Sequence, residues 1–192
     1  MVPCKRVAIL GSGTGSNARA ICDFGRHHRD AYEVALMIST SLDAGICQVA
    51  REYAVPLALL NKGNDTRVEL SLLLARHEID TLVLAGYMRL LPTAIIEQMQ
   101  GRVLNIHPAL LPDFGGKGMY GIHVHEAVIA ANSLKTGATV HLVTPAYDEG
   151  AILAQAEAAV PQGATARDLQ QIVKELEHRL YPATLSAFLR SE

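Results

Sequence analysis

Short apolar runs alternate with helical patterns through the first hundred residues, and this rhythm restricts the chain to few folds. Residues 7–10, 34–39, 56–60, 81–84 and 103–106 read as strands. Between them, residues 17–25, 44–53, 65–77 and 93–99 carry helical patterns. Strands that are apolar on both faces, each followed by a helix, predict a parallel sheet covered on both sides, a three-layer α/β sandwich. After Asn132 the rhythm changes. Residues 136–143 and 152–160 read as an antiparallel hairpin, so the sheet is expected to end antiparallel. Leu169, Ile172, Val173, Leu176 and Leu180 give the apolar stripe of a final helix. Thr165 and Asp168 form its capping box, and Pro182 is expected to kink or end it. Without a repeat or linker, residues 1–192 are expected to form a single domain.

Composition narrows the function classes. With 192 residues, 49% of them hydrophobic and 19% charged, the chain can bury a large core, which argues against disorder. Acids and bases are interspersed around a net charge of −2, so no basic stripe points to nucleic acid. No apolar run reaches the length of a membrane span, and Met1-Val2-Pro3-Cys4 leads into the first strand without a secretory pattern. Three cysteines, Cys4, Cys22 and Cys47, lack metal-type spacing and read as reduced thiols, so a cytoplasmic location is expected.

Two features carry chemistry. Gly11-Ser12-Gly13-Thr14-Gly15-Ser16-Asn17 follows the first strand and opens the first helix. Exposed N–H groups at a helix N-terminus favour an anion, so Gly15, Ser16 and Asn17 suit a phosphate; a tight turn capped by Asn17 is the structural alternative. A dinucleotide site would need glycine at position 16 and an acid near Ser39-Thr40-Ser41. The second feature is Asn105-Ile106-His107-Pro108, closing the fifth strand, with Asp148 some forty residues on. Residues two apart on a strand share a face, so Asn105 and His107 can converge at the carboxyl end, where open α/β sheets bind ligands. Amide, imidazole and carboxylate together suit acyl transfer, in which charge grows on a carbonyl oxygen while a proton moves. Read singly, Asn105 and His107 also fit a strand-end turn and a core histidine.

Other motifs carry less. His123 and His125, with His107 and His141 elsewhere, invite a metal reading, but residues 123–132 read as helical and no acid or thiol completes a set, so no metal is expected. Residues 115–121, rich in glycine, can form a flap beside the site. Glu177 lies at the border of the final helix's apolar stripe, placed either for a surface ion pair or for a ligand hydroxyl.

With these residues in view, the chain resembles the phosphoribosylglycinamide formyltransferases, folate-dependent enzymes of purine synthesis. Five segments carry the likeness in order: Gly15-Ser16-Asn17, residues 85–91 (AGYMRLL), residues 105–112 (NIHPALLP), residues 144–150 and residues 177–182 (EHRLYP). The resemblance implies a Rossmann-like sandwich, the formyltransferase fold, and transfer of the formyl group of 10-formyltetrahydrofolate, a cosubstrate, to the amine of glycinamide ribonucleotide. It implies that Asn105, His107 and Asp148 are catalytic, with Asn105 and a protonated His107 binding the oxyanion and Asp148 keeping the imidazole charged and relaying a proton. Gly15, Ser16, Asn17, Lys174 and Glu177 would hold the phosphoribosyl part. Met88, Arg89, Leu90, Leu91, Asn105, Thr144, Pro145, Ala146, Tyr147 and Asp148 would line the folate site, with Arg67 at the folate tail. Partners would be these small molecules, with the chain a monomer or homodimer.

The alternative is a 10-formyltetrahydrofolate hydrolase or a formyltransferase with another acceptor. Those relatives carry an additional domain, for which a chain running from Arg6 to Glu192 is expected to leave no room. A nicotinamide oxidoreductase is a rival from another class, disfavoured by the absent ribose-binding acid.

Overall fold

The computed structural model describes residues 4–28, 31–60 and 65–191, so the expected lead-in at Met1, Val2 and Pro3 lies outside the described residues. The strands are β1 (Arg6–Gly11), β2 (Glu33–Ser39), β3 (Leu57–Leu59), β4 (Thr81–Leu84), β5 (Val103–His107), β6 (Lys135–Leu142) and β7 (Ile152–Ala159). The helices are α1 (Ser16–His27), α2 (Gly45–Tyr53), α3 (Thr66–Arg76), α4 (Thr93–Met99), α5 (Ile122–Ala130) and α6 (Ala166–Ser191). All strands join one sheet in the order β3-β2-β1-β4-β5-β6-β7. Pairing is parallel from β3 to β5 and antiparallel from β5 through β7, as expected.

The period of two in each strand sorts the core into two layers. Val7, Ile9, Met37, Val83, Leu104 and Ile106 pack with α1, α2 and α6, whose contributions include Ile21, Val49, Val173 and Leu185. Ala8, Leu10, Leu36, Ile38, Leu82 and Leu84 pack on the other side with Leu70, Leu74, Ile95 and Met99 from α3 and α4. Cys22 and Cys47 are free and buried in the first layer.

One expectation needs correction. Pro182 does not end the last helix, because α6 runs unbroken to Ser191. Proline withholds one N–H, but Tyr181, Leu185 and Leu189 are buried on both sides of it, and their packing outweighs the missing bond. The capping box at its start forms as expected, with Asp168 Oδ2 accepting from Thr165 N at 2.8 Å and Thr165 Oγ1 at 2.7 Å. Among the described residues no helix is long and apolar enough to cross a membrane.

Strand order positions the site. From β1 the chain moves to β2 and β3 on one side, then returns through β4 and β5 on the other. The crossovers diverge between β1 and β4, opening a crevice beyond their carboxyl ends.

Candidate active site

A cleft of about 740 Å³ opens at that crevice. Its walls include Gly13 to Asn17 after β1, Ala85 to Leu91 after β4, Asn105 to Pro108 from β5, Gly116 to Gly121 from the glycine-rich loop, and Lys174 and Glu177 from α6. The spacing of Asn105 and His107 aims both side chains into it. Asp148 arrives on the β6–β7 connection, where it adopts φ 56°, the left-handed conformation that aspartate tolerates better than most residues.

Asp148 meets two imidazoles. Its Oδ2 lies 3.5 Å from His107 Nδ1, and its Oδ1 lies 3.6 Å from His141 Nε2. Oδ2 also accepts the Gly116 N–H at 2.9 Å. Burial disfavours the carboxylate, but His141, His107 and the Gly116 N–H outweigh it and hold Asp148 below its ordinary value. His107 is only 3% exposed, and its Nε2 donates to the Phe114 carbonyl at 2.8 Å. Burial pushes the His107 imidazole below its ordinary value; Asp148 and the Phe114 carbonyl favour the cation but do not overcome it, and His141 adds to the downward push. The standing His107 cation expected from Asp148 alone is therefore not favoured, because a desolvated ring resists charge.

The glycine turn has the form of an anion cradle. Gly15 precedes α1 with φ 79°, and no acid occupies the helix's first turn. A Cβ on Gly45 would lie 2.1 Å from the Thr14 carbonyl, so only glycine lets α2 close against this turn. Asn17 is not the cap. Its Nδ2 donates to Glu177 Oε2 at 3.1 Å, which ties α1 to α6 beside the turn, while Gly15 holds the cap position. Burial pushes the Glu177 carboxyl up to about 7, against the opposing pull of the Asn17 amide and Lys174.

A family model described as formyl transferase matches residues 5–185. The chain belongs to the formyl transferase family. Phosphoribosylglycinamide formyltransferase of Escherichia coli (strain K12) is 34% identical over 95% of this chain and 86% of its own length. The chloroplastic phosphoribosylglycinamide formyltransferases of Arabidopsis thaliana and Vigna unguiculata are each 38% identical, and the chain spans 65% and 60% of their lengths. Among solved structures, glycinamide ribonucleotide transformylase 1 from Symbiobacterium toebii superposes with a TM-score of 0.92 at 33% identity, covering all of this chain and 90% of that one.

Most residues marked in the sequence come together at this cleft. Met88, Arg89, Leu90 and Leu91 line it with Thr144, Ala146, Tyr147 and Asp148, and so do Gly15, Ser16, Asn17, Lys174 and Glu177. Two do not reach it. Pro145 is exposed in the β6–β7 connection between Thr144 and Ala146, and Arg67 pairs with Asp65 at 3.1 Å on the first turn of α3. Asp65 caps that helix by accepting the Arg67 N–H at 2.9 Å, so the same acid holds Arg67 at both its backbone and its guanidinium. His123 pairs with Glu126 at 3.0 Å on the exposed face of α5. Among the described residues no group of three or more His, Cys, Asp or Glu could hold a metal ion.

Several contributors escaped the sequence reading. His141 stands opposite Asn105 in the β5–β6 register, a signal available once those strands are paired. The Phe114 carbonyl and the Gly116 N–H are backbone groups, invisible to side-chain motifs. Thr139 accepts the Leu111 N–H and donates to the Ala109 carbonyl, fixing the chain just beyond His107. His125, 2% exposed, also lines the cleft, and burial together with nearby His107 pushes it down to about 4.

Proposed function

We propose that the chain transfers the formyl group of 10-formyltetrahydrofolate to the amine of glycinamide ribonucleotide, a step of purine synthesis. The observation that carries this reading is one cleft lined both by a glycine turn with its helix N-terminus and by Asn105, His107 and Asp148. A phosphorylated acceptor matches the turn, and the Met88–Leu91 and Thr144–Asp148 walls leave room for a flat donor beyond the triad. The relatives named as phosphoribosylglycinamide formyltransferases support this choice of acceptor.

The acceptor amine attacks the formyl carbon and the carbonyl oxygen becomes an oxyanion. Asn105 donates an amide N–H to it. His107 rests neutral and becomes a cation as charge develops, when an imidazolium facing both the oxyanion and Asp148 is most favoured. For this its Nε2–H exchanges the Phe114 carbonyl for the oxyanion. The surplus amine proton passes through water and Asp148 to His107 Nδ1, which creates that cation. As the oxyanion collapses and the bond from carbon to folate N10 breaks, the same proton returns through Asp148 and water to N10. Gly15, Ser16, Asn17, Lys174 and Glu177 hold the phosphoribosyl part. All these groups come from one chain, so a monomer suffices and a homodimer is compatible. The reading takes residues 1–192 as one formyltransferase domain working in the cytoplasm, although the two plant relatives are named chloroplastic.

Purified protein incubated with glycinamide ribonucleotide and 10-formyl-5,8-dideazafolate will release the deformylated folate only when the acceptor is present. Equal release without acceptor would make the chain a hydrolase. His107→Ala will lower kcat by at least ~10²-fold with an unchanged melting curve, the scale of losing an oxyanion donor. Wild-type turnover in that variant would remove His107 from the chemistry.

A further inference from the structure

We propose that His141 is a positioning residue for Asn105: fixed as the tautomer protonated at Nδ1, it accepts one amide N–H of Asn105 and leaves the other N–H for the cleft. The proposal rests on the formyl-transfer reading of this site. The two residues are directly opposed in the antiparallel β5–β6 pair, and His141 is 2% exposed. Its Nδ1 lies 2.8 Å from the Leu142 carbonyl, which can only accept, so Nδ1 carries the hydrogen. In the neutral ring Nε2 then holds a lone pair, 3.1 Å from Asn105 Nδ2, while Asp148 Oδ1, at 3.6 Å, lies beyond hydrogen-bond reach of that nitrogen. An amide oxygen in that place would set two lone pairs against each other, so Asn105 has a single amide orientation. Its amide nitrogen bears two hydrogens. One goes to His141, and the other remains for an oxygen in the cleft that Asn105 lines.

The same tautomer decides where charge can reside. Asp148 Oδ1 is 3.6 Å from His141 Nε2, and Oδ2 is 3.5 Å from His107 Nδ1, so either imidazole could take a proton against this carboxylate. Protonating His141 at Nε2 would break its bond from Asn105. Protonating His107 at Nδ1 breaks no hydrogen bond, because its Nε2–H already donates to the Phe114 carbonyl. His141 thereby directs the developing cation to His107 and, by the same bond, aims the second donor at the developing oxyanion.

Two measurements test this. Long-range proton–nitrogen correlation on the full chain labelled with 15N-histidine should show His141 neutral and protonated at Nδ1 at pH 7.5. A ring protonated at Nε2, or doubly protonated, overturns the proposal. The second is a cycle of His141→Phe, Asn105→Ala and the double variant. His141→Phe should lower kcat by about 10- to 100-fold, less than the roughly 10²–10³ of losing an oxyanion donor, with the KM for glycinamide ribonucleotide within about threefold. In the Asn105→Ala background it should cost less than about twofold more, because a residue acting only through Asn105 has nothing left to position. Independent, multiplying losses, or a raised KM at unchanged kcat, would overturn it. His141→Gln, whose side-chain oxygen can accept the same N–H, should recover part of the rate, and this variant decides the matter if the Phe form does not fold. A wild-type protein that transfers no formyl group would sink the functional reading instead, whatever tautomer is found.

Discussion

At the residue scale, burial sets the protonation behaviour of His107, His125 and Glu177, while the partners of Asp148 overcome its burial and keep it ionised. His107 and His125 are driven toward neutrality by desolvation, and Glu177 is driven the same way from the opposite sign. Neutral imidazoles beside a carboxylate suit a reaction whose charges exist only briefly, since they can gain a proton or a hydrogen bond as the oxyanion grows. Glu177 gives this a measurable form. Its ordinary value is 4.5 and the fold pushes it up to about 7. Between those values the folded chain holds a proton that the unfolded chain has released, so this group's stabilisation is complete below 4.5 and is lost as pH rises through about 7. Glu177→Gln removes that titration. The difference in melting temperature between Glu177→Gln and wild type will therefore move in favour of the variant from pH 5 to pH 8. A difference that is flat across this range would mean that Glu177 titrates as an ordinary surface acid.

At the element scale, α6 does more than cover the sheet. The Tyr181 hydroxyl is fully buried and lies 2.9 Å from the Leu84 carbonyl and 3.0 Å from the Leu104 carbonyl, so one side chain spans β4 and β5. Those carbonyls immediately precede Ala85 and Asn105, where the cleft floor begins. Tyr181→Phe will destabilise by ~1–3 kcal/mol, the cost of leaving buried polar groups without a partner. It will be read as a lower urea midpoint at unchanged slope. An unmoved midpoint would show that the tie is replaceable. The elements themselves were largely legible in the sequence, because β1, β2, β4 and β5 are apolar on both faces and α1, α2 and α6 carry a helical period. Asn105 and His107 were legible for the same reason, since a strand-end position fixes their direction. What stayed hidden depends on contacts distant in sequence. Pro182 looked like a helix end until the packing of Tyr181 and Leu185 was set against it. Arg67 looked available until its pairing with Asp65 was visible, and His141 had been weighed only for a metal until β6 was registered against β5.

At the scale of the whole molecule, the cleft brings together segments from opposite halves of the sheet order, which the formyl-transfer reading assigns to two ligands. The glycine turn belongs to the half that winds from β1 toward β3, while Met88 to Leu91 and Thr144 to Asp148 belong to the half that winds outward to β7. Asn105 and His107 end β5, between the strands that lead into Met88–Leu91 and Thr144–Asp148. They line the same cleft as the glycine turn, which is what a transfer between two bound molecules requires. If each ligand engages its own region, each will stabilise the fold separately. Glycinamide ribonucleotide at 100 times its Kd contributes about 2.7 kcal/mol. For a chain of this size, ~2–4 °C per kcal/mol gives a rise of roughly 5–11 °C in Tm. A 10-formyl-5,8-dideazafolate analogue will add its own shift. Ser16→Glu places a carboxylate on the first turn of α1, where the substrate phosphate is proposed to sit, and like charge there opposes the anion. That variant will lose the shift from glycinamide ribonucleotide and keep the shift from the folate analogue. Loss of both shifts together would mean that the ligands share one region, and retention of both would move the phosphate away from the glycine turn.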